Sequence, residues 1–312
     1  MSMSDTPDLV LRAASRLAKA EGSTPPAAED RAPFRPAPAN PGPAMVQPPS
    51  PVTSLARDMP TPPRPPARTV VLSQAALAAN GISLPSSEFS RHTEEFRSIK
   101  RQVLATVSRN ASSVAGGLNR LMMVTSAVPA EGKTYVSINL ALAIAFERDF
   151  NVLLIDADAH RQSLVSRLGV SADKGWLDVL GDNSAKLSDV VIGTNIPNLS
   201  ILPAGNTRPG IPELLSSRKM ATLVGELANE SPNRLVIFDS LPCLVSTEPS
   251  ILASMVGQVL FVVAASETSK EEIESSLRLL DGCPSINLIL NKGDPLLIDQ
   301  FGKYGYGYGY AQ

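Results

Sequence analysis

A mostly parallel sheet covered by helices on both faces, in an α/β fold, is predicted by three observations. Short apolar runs at 121–125, 152–155, 199–202, 235–238, 259–263 and 286–290 are each bounded by polar or turn residues. Helical patterns or loops separate them. Near-continuous apolar strands alternating with helices are what a sheet buried on both faces requires. The third observation is a Gly132-Lys133-Thr134 step after the first core strand, followed by a helical pattern from Tyr135 to about Phe146. Strand, loop, Gly-Lys-Thr and helix is the context of a phosphate-binding loop. The fold class is therefore a P-loop NTPase.

At the start of the chain, residues 1–24 hold a short amphipathic helix at 7–20, with Leu9, Leu11, Ala13 and Leu17 to one side and Arg12, Arg16 and Lys19 opposite. That length is marginal alone in water, so it is either a weak isolated helix or a docking helix for a partner. Residues 25–68 form a Pro- and Ala-rich linker. Of 27 prolines, 16 lie in the first 66 residues, and a segment so poor in large apolar groups cannot offset its ordering entropy. The folded domain is expected at 69–297. Its first helix, at 92–108, puts Phe96, Ile99, Val103 and Val107 on one face. Residues 298–312 form a flexible tail in which Tyr304, Tyr306, Tyr308 and Tyr310 alternate with glycine. Four of the chain's 5 tyrosines sit there, where none can pack into a core.

Bulk composition narrows the functional classes. The chain has 312 residues, 43% of them hydrophobic, enough for a sizeable core. A net charge of −2 creates no field for nucleic acid or an anionic membrane. Cys243 and Cys283 are isolated, which fits neither a metal cluster nor a disulfide framework and suits a reducing compartment. No apolar run approaches the roughly 20 residues of a membrane span. No basic stretch with an apolar core opens the chain. The expectation is a cytoplasmic protein whose membrane role, if any, comes through a partner.

The phosphate loop runs from Ser126 to Thr134. Backbone N–H groups of the loop and the positive helix end are suited to phosphate oxygens. Lys133 can reach the terminal phosphates of ATP, and Thr134 offers a hydroxyl to Mg²⁺. Ala127 stands where the first glycine is usual. At the end of the next core strand, Asp156 and Asp158 place two carboxylates at the carboxyl edge of the sheet, where open α/β sheets bind ligands. At spacing two they point the same way if the strand persists. One can join the Mg²⁺ shell and the other can take a proton from a hydroxyl. Asp239 ends a further buried strand. Any one of these aspartates alone reads equally well as a helix cap or turn residue. Three in this order behind a phosphate loop do not.

This set resembles the bacterial tyrosine kinases of exopolysaccharide loci, with their Walker A, acidic Walker A′, Walker B and tyrosine-rich tail. Glu94-Glu-Phe-Arg97-Ser-Ile-Lys100-Arg101 is similar to the family's ring-assembly helix, with Lys100 at its last position. Leu202-Pro-Ala-Gly205 and Pro209-Gly-Ile-Pro-Glu213 are similar to its further motifs. The cytoplasmic exosortase-associated autokinases are the most similar branch. The resemblance implies a MinD/ParA-like domain and a protein-tyrosine autokinase using ATP and Mg²⁺. It implies that Lys133, Asp156, Asp158 and Asp239 are catalytic, with Asp158 as the base or the orienting group for the incoming phenol, and that Thr134, Asp156 and Asp239 hold Mg²⁺. It implies nucleotide contacts from Ala127, Pro129, Ala130, Glu131, Gly132, Lys133, Thr134, Tyr135, Arg161 and Asn291. Acceptors would be Tyr304, Tyr306, Tyr308 and Tyr310, modified in trans. A homo-oligomeric ring through Glu94, Arg97, Lys100 and Arg101, a membrane polysaccharide co-polymerase at the inner face of the plasma membrane, and a tyrosine phosphatase are the implied partners. Gln162 stands where the family often has proline, and Ala130 where it often has glycine.

Other residues invite weaker readings. A lone His160 after the acidic motif is expected to be solvated. Nothing lowers the pKa of Cys243. Asn291-Lys-Gly-Asp294 mimics a guanine-reading motif, but Asn291 is taken as an adenine contact. Glu271, Glu272 and Glu274 mark the polar face of a surface helix. A competing function is a partitioning-type switch ATPase. The lysine that class places early in the loop falls at Val128, and it has no use for a tyrosine tail. A nucleotide-binding adaptor without activity is the third reading, and the complete set of charged residues argues against it.

Overall fold

The computed structural model describes residues 66, 68–82, 84, 90–182 and 184–293. The N-terminal helix, nearly all of the Pro-rich linker and the tyrosine run lie outside the described residues. The linker expected to reach 68 ends sooner, because Arg68 already pairs into the sheet.

Among the described residues, eight strands form one sheet. They are β1 (Arg68–Val70), β2 (Leu121–Ser126), β3 (Asn151–Asp156), β4 (Ile192–Thr194), β5 (Leu199–Leu202), β6 (Arg234–Asp239), β7 (Gln258–Ala264) and β8 (Ile286–Asn291). The helices are α1 (Gln74–Ala79), α2 (Arg91–Arg109), α3 (Lys133–Ala145), α4 (Ser163–Arg167), α5 (Trp176–Gly181), α6 (Leu187–Val190), α7 (Ile211–Leu215), α8 (Arg218–Asn229), α9 (Glu248–Ala253) and α10 (Lys270–Leu279). Strand order is β1-β4-β5-β3-β6-β2-β7-β8. Every pairing is parallel except β4 with β5. All six sequence-predicted runs are strands of this sheet.

Alternation along each strand divides the core in two. Leu121, Met123, Leu153, Ile155, Val236, Phe238, Val259 and Phe261 pack on one side, against Met220, Leu223, Val224 and Leu227 of α8. Met122, Val124, Leu154, Ile237 and Leu260 pack on the other, against α3 and the Phe96, Val103 and Val107 face of α2. Helix α3 is buried over nearly its whole circumference, which explains its near-continuous apolar sequence.

Helix α2 starts where Ser90 caps the Thr93 N–H and is supported by an Arg91–Glu95 pair one turn apart. Ile99 is only half-buried, and Thr106 takes a place in the buried face by donating to the Gln102 carbonyl. The Glu-rich surface helix is α10. Its Ser269 and Glu272 form a reciprocal capping box, so Glu272 is a start signal as well as a solvated charge.

Candidate active site

The topology inserts β6 between β2 and β3. Asp239 is thereby the register partner of both Val124 on β2 and Asp156 on β3. Two carboxylates distant in sequence meet beside the loop that leaves β2. The chain beyond β6 stays on that loop: the N–H groups of Cys243 and Leu244 donate to the carbonyls of Ser126 (2.8 Å) and Ala127 (3.1 Å).

The loop is held from three sides. Buried Glu131 accepts from the Val128 N–H at 2.7 Å and from the Thr268 hydroxyl, and its backbone carbonyl accepts from the Asn291 side-chain amide at 2.8 Å. Gly132 has φ 99°, and a Cβ there would lie 2.0 Å from Asn291 Nδ2, so only glycine fits. Ala130 occupies the left-handed region at φ 70°, where the family's usual glycine would carry no strain. Val136 is the first N–H to bond inside α3, leaving the earlier amides open at the helix start. That is an anion-binding geometry.

Below the loop, Lys133, Asp156, Asp158 and Asp239 are all buried. The Ser137 hydroxyl donates to Asp239 Oδ1 at 2.9 Å. Thr134 Oγ1 lies 3.0 Å from Ser163 Oγ. Asp156 Oδ2 and Asp239 Oδ2 are buried with no hydrogen-bond partner. Burial pushes the Asp156 carboxyl up to about 8, with the Asp239 and Asp158 charges adding to it. Burial likewise raises Asp239 to about 6, opposed by the Thr134 and Ser137 hydroxyls and by Lys133. The Lys133 ammonium is shifted downward by its own burial, which the surrounding carboxylates partly offset. Two orphaned carboxylate oxygens beside a threonine hydroxyl fit Mg²⁺, a hard ion that keeps water and phosphate among its ligands and uses few protein oxygens. Among the described residues no group of three His, Cys, Asp or Glu could hold a metal by itself.

Several expected contacts differ in detail. Strand β3 stops at Asp156, so Asp158 does not extend the strand alternation. It sits in a turn, where its N–H donates to Asp156 Oδ1 at 3.2 Å and its own Oδ1 accepts from the Arg161 N–H at 3.0 Å. The Tyr135 phenol turns from the loop to His92 and Phe96 on α2, leaving only its backbone for phosphate. The Asn291 side-chain N–H group donates to the loop, at the Glu131 carbonyl. Lys100 is paired within the chain to Glu147, just beyond α3, and Arg97 to Glu94. His160 is half-exposed, but its Nε2 lies 3.5 Å from the buried Glu248. Burial raises Cys243 to about 11, as an unreactive thiol requires. Gln162 has φ 47°, a conformation closed to proline.

A supporting layer escaped sequence reasoning. The Trp176 indole N–H donates to the Asp156 carbonyl at 2.9 Å, while the N–H groups of Trp176 and Leu177 bond Pro203 and Ala204 (both 3.1 Å). The Gln162 amide donates to the Gly205 carbonyl at 2.7 Å. The Leu202–Gly205 motif thus braces both halves of the acidic loop. A signal existed for two of these residues: Trp176 is the chain's only tryptophan, and Ser137 stands one helical turn after Lys133. For Thr268 there was none.

No protein-family model matches the chain. The tyrosine-protein kinase YwqD of Bacillus subtilis is 30% identical over 219 residues, which cover 69% of this chain and 87% of that protein. This chain belongs to the bacterial tyrosine kinase family. The putative tyrosine-protein kinase CapB of Staphylococcus aureus is 28% identical over 219 residues, 70% of this chain and 90% of CapB. The solved BceF tyrosine kinase domain superposes with a TM-score of 0.55 at 25% identity, over 64% of this chain and 78% of that one. As a member of the family the chain is a protein-tyrosine kinase.

Proposed function

We propose that this bacterial tyrosine kinase transfers the γ-phosphoryl group of ATP to Tyr304, Tyr306, Tyr308 and Tyr310 on a neighbouring copy of itself, and that this modification regulates exopolysaccharide polymerisation and export. The observation that carries the reading is the pair of unpartnered Oδ2 atoms on Asp156 and Asp239 beside Thr134, within a preformed phosphate loop. Mg²⁺, when bound, neutralises phosphate charge. Lys133 and the open amides at the start of α3 hold phosphate oxygens, joined at the rim by Ala127, Pro129, Ala130 and Arg161. Glu131 and Asn291 keep the loop in shape. Asp158 accepts the phenolic proton through the oxygen that the Arg161 N–H does not use. The phenol oxygen bonds to phosphorus as the bond to ADP breaks, so positioning and electrostatics supply most of the catalysis.

Each phosphate adds about −1.5 to −2 charges, so a multiply modified tail repels its neighbours and loosens a ring. In that ring Glu94, Arg97 and Arg101 face a second copy, with Lys100 acting indirectly through its bond to Glu147. The membrane polysaccharide co-polymerase recruits the kinase to the inner face of the plasma membrane, and a tyrosine phosphatase resets it. Purified full-length protein given ATP and Mg²⁺ should gain tail phosphotyrosine, read by mass spectrometry. Lys133→Ala should abolish it, and mixing Lys133→Ala chains with active ones should restore modification of the mutant's tail. Persistent signal in Lys133→Ala alone would sink the site, and an unmodified mutant tail in the mixture would sink transfer in trans.

A further inference from the structure

The apolar face of the sheet runs beyond its helical cover. Phe261 and Val263 on β7 belong to the core, and their register partners on β8 are Leu288 and Leu290. Those two leucines are 57% and 65% exposed. They stand on the same face, about 7 Å apart along the strand. Among the described residues β8 is the sheet's edge, a position that leaves one side of a strand without a ladder partner. An edge strand with two uncovered leucines is an unfinished layer.

We propose that residues 296–301 of this same chain seat on the Leu288–Leu290 face and thereby anchor the base of the tyrosine run. The described chain ends at residue 293, two residues past β8. Gly293, Asp294 and Pro295 are turn-forming residues, and Leu296, Leu297, Ile298 and Phe301 come directly after them. These supply four large apolar side chains in six residues. The six residues from Leu290 to Leu296 reach at most about 20 Å, enough to turn and return over the strand. So short a tether gives the chain's own face a high effective concentration over any face on a second copy.

The inference rests on the proposed autokinase reading and adds a rule of reach to it. Tyr304 is three residues from Phe301, so an anchored tail holds it within about 10 Å of the anchor, whereas Tyr310 extends to roughly 30 Å. β8 itself ends at Asn291, on the phosphate loop. The seated segment therefore holds Tyr304 close to its own subunit and presents Tyr308 and Tyr310 to a neighbour, so the distal tyrosines are modified first.

Hydrogen exchange on the full chain tests the seat directly. Backbone amides at 296–301 should exchange several-fold faster in Leu288→Asp/Leu290→Asp than in the wild type, and equal exchange would overturn the proposal. A Leu288→Cys/Ile298→Cys chain should oxidise to a monomer-sized disulfide on a non-reducing gel. A dimer-sized product would transfer the seat to a second copy and overturn it as stated. With ATP and Mg²⁺, the ratio of phosphorylated Tyr304 to phosphorylated Tyr310 should rise several-fold in the aspartate variant, with phosphorylation of an added tyrosine peptide unchanged. An unchanged ratio would overturn the reach rule. Should the wild type gain no phosphotyrosine at all, the kinase reading falls, while exchange and cross-linking still judge the seat.

Discussion

Asp156 and Asp239 are register partners on β3 and β6, and each buries an Oδ2 atom that no hydrogen bond satisfies. Their mutual repulsion and burial destabilise the metal-free protein in favour of a cation between them. Replacing Asp156 by asparagine should therefore raise the melting temperature at pH 9 without ligand, a gain of about 1.4 kcal/mol for each pK unit of repulsion and desolvation removed. The same variant should lose the thermal stabilisation that wild type gains from ATP with Mg²⁺. Melting curves with and without ligand check both halves.

The pH dependence arises from the same pair. Both carboxyls sit above their unfolded value of 3.8, at about 8 for Asp156 and about 6 for Asp239. Between those limits the folded state binds more protons than the unfolded state, so stability falls as pH rises. Ligand-free protein should lose stability progressively from about pH 4 to about pH 8, most of it beyond pH 6 removed by Asp156→Asn. Mg²⁺ affinity should climb over the upper part of that window, with proton release visible by calorimetry in buffers of different ionisation enthalpy.

Ala130 carries a left-handed backbone that costs an L-residue about 1 kcal/mol. Ala130→Gly should leave stability level or raise it by that order, because relief of strain opposes the added freedom of the unfolded chain. Gly132→Ala meets Asn291 Nδ2 at 2.0 Å and should abolish nucleotide binding. Fluorescent ATP-analogue titration separates the two.

Trp176 holds the Asp156 backbone from behind. Trp176→Phe keeps the ring packing and removes the indole donor, leaving a buried carbonyl unpaired at a cost of about 1–3 kcal/mol. The Mg²⁺ concentration giving half-maximal phosphorylation should rise, with the KM for ATP nearly unchanged. A fall in both parameters alike would mean that the residue only supports folding.

Lys100 and Arg101 should separate in behaviour. Lys100 is 14% exposed and bound to Glu147, so Lys100→Gln should lower stability by about 1 kcal/mol or less, with Glu147→Gln equivalent. Arg101 lies on the exposed side of α2. Arg101→Glu should shift sedimentation toward monomer and leave melting unchanged.

The run of apolar strands, the Gly132-Lys133-Thr134 step and the three aspartates were legible because their signals are local. Strand periodicity, a strand–loop–helix junction and a carboxylate at a strand end all lie within a few residues. Whether β3 reaches Asp158 was not legible, because the end of a strand depends on its neighbours: Ala157 still donates to the Asp239 carbonyl of β6, whereas the Asp158 amide turns to Asp156 Oδ1. That the Tyr135 hydroxyl meets His92 and the Asn291 amide N–H meets the Glu131 carbonyl was not legible, because both contacts join residues far apart in the chain.

The sequence by itself determined the layer architecture, the phosphate loop and the inventory of charged groups, since alternation and turn chemistry act between near neighbours. Only the tertiary structure decided that Asp239 stands between the loop and Asp156. It also decided that Trp176 and the Leu202–Gly205 motif brace the acidic loop, that Thr268 and Asn291 lock Glu131, and that Leu288 and Leu290 are left uncovered. Each of these depends on strand order, and the insertion of β6 between β2 and β3 joins residues more than a hundred positions apart through backbone pairing that no local pattern encodes.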